Sequence, residues 1–288
     1  MNQAQRAKAT LALSAAMISW AMAPVFIRVM RGAYDPYSQA FIRYFFGAAP
    51  LVILCLTVYR DEFIAVLRRP KAVFGVGCLC TLHQTVWTVG CYSAPATLAQ
   101  LITQLGVVFV IILSFLLFRE ERGVVRSPVY LGGTALSFAG LAAVVLGGNR
   151  AGGSMGVVAA ALLLATAMCW GCYVVWSKHI VTDCHPVPMY AAFSIVTTIN
   201  TGLIACFFGH PSCIIAAGAG TTAIAFVSGL LPLATAHPAF HYAQKHLGSA
   251  FCSSCNLLTP LLTYLFAAFF LDDAPLTAIQ WAGVFTLL

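Results

Sequence analysis

The sequence predicts an all-α integral membrane protein of ten transmembrane helices, the last one truncated, arranged as two inverted five-helix repeats. Three observations predict it. Hydrophobic residues make up 61% of the 288 and charged residues 8%, against roughly 25% charged in a soluble domain. Apolar stretches of about 20 residues, the length that crosses a bilayer, recur along the whole chain. Thirdly, a short motif occurs twice: Trp20 is followed eight residues later by Arg28, and Trp170 eight residues later by Lys178, 150 positions further on.

The ten spans fall at about 9–30, 36–58, 72–92, 95–118, 128–147, 155–177, 186–208, 214–243, 249–271 and from 274 onward. The first carries Ala21-Met22-Ala23, which has the look of a signal cleavage site. Pro24 is unfavourable directly after such a site, and Trp20 and Arg28 have counterparts in the second half, so the span is read as retained. Asp35-Pro36 opens the second span and His185-Pro186 the seventh, again 150 apart. The seventh and eighth are the least sharply bounded, because 209–220 is rich in Gly and Ala without charge. From Leu276 to Leu288 there are 13 residues, about 20 Å of helix. That is short of a hydrocarbon core of about 30 Å, so the chain as given is expected to stop within its tenth helix.

Charge sets the orientation. With a cytoplasmic N-terminus, eleven cations (Arg6, Lys8 and those of the 60–71, 119–126, 178 and 245 segments) lie inside and three (Arg28, Arg31, Arg150) outside, with Arg43 within a span. This is a positive-inside pattern, placing the protein in the cell (inner) membrane. The net charge of +7 then reflects topology, and nucleic acid is not an expected partner. The expected partners are a small-molecule substrate and the lipid bilayer; the oligomeric state is left open.

Cys169/Cys172 and Cys252/Cys255 have zinc-like spacing but lie within apolar spans with no second pair to complete a tetrahedron. They are read as small packing residues, and no metal or cofactor is expected.

The repeat extends beyond the tryptophan motif. At an offset of 153, Glu120 matches Asp273, Gln84 matches His237, and Gln100 and Thr103 match Ser253 and Asn256. Five spans thus match five in order, as units 1–150 and 151–288. Five is odd, so the second unit enters the membrane from the opposite side. Two inverted units around a shared site are the architecture of alternating-access carriers.

At this point the chain resembles the EamA family of the drug/metabolite transporter superfamily. WAMAPVFIR (20–28) and WGCYVVWSK (170–178) are similar to its start motif, and AFIRYFFGA (40–48) to its second-helix arginine motif. GVVFVIILSFLLFREE (106–121) and TPLLTYLFAAFFLDD (259–273) resemble its fourth- and ninth-helix signature, a proline before an apolar run ending in an acid. The resemblance implies ten helices, an inverted repeat and transport of small metabolites, often amino acids. Two departures make the symmetry incomplete: Val107 stands where the ninth helix has Pro260, and Phe193 where the second has Arg43.

Polar groups inside hydrocarbon face a cavity or one another. His83, Gln84 and Trp87 lie on the third span, Gln100, Thr103 and Gln104 on the fourth, His237 and His241 on the eighth, and Asn256 on the ninth, four helices that occupy equivalent places in the two halves. Each by itself suits an interhelical hydrogen bond; as a set they outline a cavity. Trp20, Trp170 and Tyr173 add flat aromatic surface suited to an amphipathic substrate. Arg43 lies about 10 Å into its helix and is read as a gating or anion contact, or as a contact to helix-end carbonyls. No carboxylate falls mid-span, so coupling through a membrane-embedded acid is not expected; a histidine, which titrates near neutrality, is the available proton carrier. The expected function is non-ATP secondary transport of small polar or amphipathic metabolites, with export favoured. A membrane enzyme or a channel is the alternative, without HExxH, paired intramembrane aspartates or a filter loop to support it.

Overall fold

The computed structural model describes residues 2–147, 156–181, 183–271 and 277–287. Arg150, Asp272, Asp273 and the expected boundary between the repeats lie outside them. Within them the chain forms helices and turns and no strand.

In chain order the helices are α1 (Gln3–Ala21), α2 (Ala23–Val29), α3 (Pro36–Thr57), α4 (Arg60–Leu67), α5 (Pro70–Tyr92) and α6 (Ala96–Thr103). Next come α7 (Gly106–Leu117), α8 (Arg122–Val125), α9 (Pro128–Gly147), α10 (Val157–Val181), α11 (Pro186–Phe208) and α12 (Ser212–Ala216). The last are α13 (Ala219–Gly229), α14 (Ala236–Leu247), α15 (Ser249–Cys255), α16 (Thr259–Phe270) and α17 (Ala278–Leu287). Among the described residues, eight segments are long and apolar enough to cross a membrane. Four of them are interrupted: α1 with α2, α6 with α7, α13 with α14, and α15 with α16.

Two boundaries differ from the sequence reading. The eighth span runs from Ala219 to Leu247, and 212–216 forms the separate short α12 behind Pro211. Gly218 is extended, which breaks the helix there, and Gly248, at φ 89°, terminates α14. The loop after the second span contains α4, which buries Phe63 and Val66 against α11 and leaves its charges in the open.

The helices pair across the halves. α3 packs on α11, α5 on α10, α1 on α14 and α9 on α17. The interior is an apolar cluster that includes Trp20, Tyr44, Trp170, Tyr173, Tyr190, Phe193 and Phe240. Large apolar side chains such as Leu11, Ile53, Phe74 and Phe207 are exposed, as a lipid-facing surface requires.

Both expected span starts carry a cap. Asp35 accepts from the backbone N–H groups of Tyr37 and Ser38 at 3.0 Å, and its second oxygen accepts from His210 N at 3.0 Å. It therefore starts α3 and ties it to the far end of α11. His185 Nδ1 accepts from Val187 N at 3.4 Å at the start of α11. Burial opposes the charge on Asp35, but the hydrogen bonds from Ser38, His210 and Tyr37 outweigh it and hold the carboxyl below its usual range. A depressed carboxyl adds stability above its unfolded value, near pH 4, and loses it as acid protonates the native state. The melting-temperature advantage of the native protein over Asp35→Asn is therefore expected at pH 7 and should shrink on acidification below about pH 4.

The crossing of α3 on α13 depends on two glycines. A Cβ on Gly229 would sit 2.5 Å from Arg43 O and 2.8 Å from Gly47 N, and one on Gly47 would sit 2.9 Å from Gly229 O. Backbone cannot yield as a side chain can. Gly229→Val should separate the helices and lower stability by about 1–3 kcal/mol, read as a fall in melting temperature in detergent.

Candidate functional site

Every helix interruption borders one cavity. Pro24 lacks the N–H that would continue α1, and the chain breaks at Met22. Ala21 O, at that break, accepts from Thr263 Oγ1 at 3.0 Å. Between α13 and α14 the residues Leu230–Thr235 form a π-helical turn around Pro232. Pro232 O accepts from Trp20 Nε1 at 3.0 Å. Asn256–Leu258 forms a tighter turn before Pro260. Gln104 and Leu105 interrupt the fourth span at the equivalent place. The missing proline at Val107 therefore does not remove the break expected from the ninth helix.

The cavity has a volume of about 70 Å³, several times the roughly 10–15 Å³ that one water needs. Of the thirteen residues selected from sequence, eleven border it. Trp20, Arg43, His83, Gln84 and Trp87 come from the first three spans. Gln100, Thr103, Gln104, Trp170, His237 and Asn256 come from the fourth, sixth, eighth and ninth. Trp20 and Trp170 meet edge to face, centroids 5.1 Å apart at 89°, and His237 stacks on Tyr190 at 4.5 Å. Thr259 Oγ1 donates to Asn256 Oδ1, which leaves the amide N–H₂ of Asn256 for the cavity.

Tyr173 and His241 do not border it. Both are fully buried behind the wall, where Tyr173 Oη lies 2.7 Å from His241 Nε2 and 3.3 Å from His237 Nδ1. The i, i+4 spacing of the two histidines does put them on one helix side, but only the one nearer the π-helical turn reaches the open space. Ala23, Pro232 and Leu233 border the cavity without having been selected. Their signal was present: each lies at or within two residues of a helix break, and both breaks carry a proline.

Arg43 is 2% exposed. Its Nε donates to Ser228 Oγ at 2.7 Å, so the protein contact is a hydroxyl on the facing helix and not a helix-end carbonyl. Among the described residues no carboxylate pairs with it and no acceptor meets its Nη atoms. A guanidinium carries five N–H donors, so four have no protein acceptor among the described residues, and Arg43 borders the cavity. Phe193, at the equivalent position of the seventh span, is buried in the apolar core.

Lys178, counted from sequence among the inside cations, is held within the bundle. It is buried, lies 3.9 Å above the Phe118 ring, and pairs with Glu121 and with Glu120 at 3.2 Å. Glu121 also accepts from the backbone N–H groups of Ser249 and Ala250 at 2.9 and 2.8 Å. This cluster joins α10, the segment after α7 and the start of α15, at the end of the bundle expected to face the cytoplasm. Among the described residues no group of His, Cys, Asp and Glu is arranged to hold a metal ion.

The profile of the EamA-like transporter family matches residues 7–146 and again 157–288. The chain belongs to the EamA-like transporter family. As an EamA-like transporter it is a multi-pass membrane protein whose profile matches once in each half. No curated protein matches it. A solved crystal structure of a protein 21% identical superimposes with a TM-score of 0.76, over 97% of this chain and 92% of the other, and shares the fold. A Gly-x-Ser-x-Gly string does occur, at 152–156, mostly outside the described residues. The flanking elements, α9 and α10, are helices, whereas a nucleophile elbow follows a strand; the family is one of transporters, not enzymes.

Removing one member of a buried ion pair costs about 3–5 kcal/mol because the other charge is stranded. Lys178→Met is expected to lower the melting temperature of this EamA-like transporter more than the double variant Lys178→Met/Glu121→Gln does, a non-additivity that a thermal-shift cycle reads directly.

Proposed function

We propose that this chain is a secondary, ATP-independent transporter that moves small amphipathic metabolites bearing a carboxylate, amino acids and aromatic acids among them, by alternating access. Arg43 carries the reading: a buried guanidinium with open N–H donors beside a cavity, and no acidic partner. Such a charge is costly in hydrocarbon unless an anion meets it. A planar carboxylate suits its fork geometry. Trp20, Trp87 and Trp170 offer apolar and aromatic surface for the rest of the molecule, and Gln84, Gln100, Thr103 and Asn256 offer neutral hydrogen bonds.

Alternating access is supported by the pairing of helices. Exchanging first-half spans for their second-half counterparts maps the α5–α10 pair onto the α14–α1 pair, and α3–α11 and α9–α17 each onto itself. That pattern suits ten helices in two inverted five-helix repeats, 1–150 and 151–288, with the site between them. The positive-inside charge pattern favours the cell inner membrane with the N-terminus cytoplasmic. Net export is proposed, driven by the outward gradient of a metabolite that accumulates in the cytoplasm.

Reconstituted protein should release radiolabelled aromatic carboxylates from liposomes in a saturable manner. Arg43→Gln is expected to weaken apparent affinity about tenfold or more, the worth of a charge-assisted hydrogen bond. Arg43→Lys should retain part of it, and Asn256→Leu should block flux by filling the cavity. Unchanged flux in Arg43→Gln and Asn256→Leu alike would place the substrate elsewhere.

A further inference from the structure

Behind the cavity wall runs a chain of hydrogen bonds whose directions can be assigned. Val174 O only accepts, and Gln244 Nε2 lies 2.7 Å from it and 3.0 Å from Ser249 Oγ. The amide oxygen of Gln244 therefore faces His241 Nδ1, at 2.9 Å. That oxygen only accepts as well, so His241 Nδ1 carries the proton. In the neutral ring Nε2 is then the acceptor, and Tyr173 O–H donates to it at 2.7 Å. Having donated its proton, Tyr173 Oη accepts from His237, whose Nδ1 lies at 3.3 Å and is the protonated nitrogen. His237 Nε2 is left as a bare acceptor; no partner meets it among the described residues, and the ring forms part of the cavity wall.

Every donor in this chain points away from the cavity. We propose that His237, Tyr173 and His241 form the coupling-proton site of the transporter, loaded from the cavity and storing one proton on His241. The balance is simple. A proton from cavity water binds His237 Nε2. The Nδ1 proton of His237 passes to Tyr173 Oη as the hydroxyl proton of Tyr173 passes to His241 Nε2. One proton has entered; the phenol is neutral as before, His237 is neutral in its other tautomer, and His241 is an imidazolium. The charge stops there, because an amide oxygen accepts a hydrogen bond but does not relay a proton. Unloading reverses the steps through the same cavity after it has opened to the other side.

The surroundings make this loading depend on substrate. Tyr190 from α11 stacks on His237, and Tyr44 and Cys80, from α3 and α5, bond to each other nearby in the same core cluster. Arg43 and His83 border the cavity that His237 faces, and no Asp or Glu is among its lining residues. On α15, Cys252 lies in the same core cluster. Glu121 and Lys178 are the next charges beyond Ser249, and they neutralise one another. A second positive charge entering by way of a cavity that already holds Arg43 is disfavoured until an anion occupies it. Proton and carboxylate therefore bind together and cross in the same direction. This last step rests on the carboxylate reading above; the proton site itself does not.

Two measurements test it. Benzoate binding to the transporter in nanodiscs is followed by calorimetry near neutral pH in buffers of different ionisation enthalpy. About one proton should be taken up per benzoate bound, by linkage. In Tyr173→Phe, which keeps the ring but breaks the relay, benzoate should bind with uptake falling toward none. Binding to the unmodified protein without proton uptake would overturn the proposal. Absence of benzoate binding would count against the carboxylate reading, and the decision on the proton site then falls to ¹⁵N spectra of histidine-labelled protein without ligand. There, acidification should make His241 the doubly protonated ring, and Tyr173→Phe should abolish this. Charging of His83 or His237 while His241 stays neutral would refute the site.

Discussion

Hydrocarbon offers no hydrogen bonds, so every gap in a membrane helix must be repaired by another helix. In this protein the repairs run between the halves. Trp20 of the first span meets the Pro232 carbonyl of the eighth, and Thr263 of the ninth meets the Ala21 carbonyl of the first. Thr197 of α11 reaches Gly77 O of α5 at 3.2 Å, and Tyr130 of α9 reaches Ser254 of α15 at 2.8 Å. The interruptions that open a polar cavity are thus the same features that hold the two halves together. A conformational change that moved one half against the other would have to exchange these bonds as a set.

Charge is distributed on the same logic. At one end of the bundle, Lys178 and Glu121 neutralise each other, and Glu121 also caps two N–H groups at the start of α15. In the middle, Arg43 has a hydroxyl for one donor and no acid. The first arrangement is complete and structural in character. The second leaves most of the guanidinium donors without a protein acceptor among the described residues. The Gly47–Gly229 approach brings Ser228 to Arg43 and so sets the orientation of that guanidinium.

The two halves are alike in helix pairing and unlike in chemistry. Their helix breaks coincide in the fourth and ninth spans even where the proline is missing, whereas the first and eighth spans break and their counterparts, α10 and α5, run unbroken; the pairings exchange consistently. Yet Arg43 corresponds to the buried Phe193, and Gln84 to His237. The likeness lies in which helices pair, and the difference in the side chains they present to the cavity.

Composition alone dictates a membrane-embedded helical protein, because a chain with 8% charged residues cannot present a hydrated surface. Spacing alone indicates where most spans lie, since about twenty apolar residues cross a bilayer, and the recurring motifs show that the chain repeats. Eleven of the thirteen selected polar and aromatic residues reach one cavity because mid-span polarity is expensive and converges on shared space. What sequence could not decide is which side of the wall a residue occupies. His237 and His241 lie four positions apart on one helix, and the π-helical turn at Leu230–Thr235 presents one to the cavity and places the other against Tyr173. Likewise Lys178 counts as one more inside charge in the sequence until Glu121, from a distant segment, is seen to pair with it in the interior. Those assignments depend on helix rotation and on partners far apart in the chain, and only the packed structure specifies either.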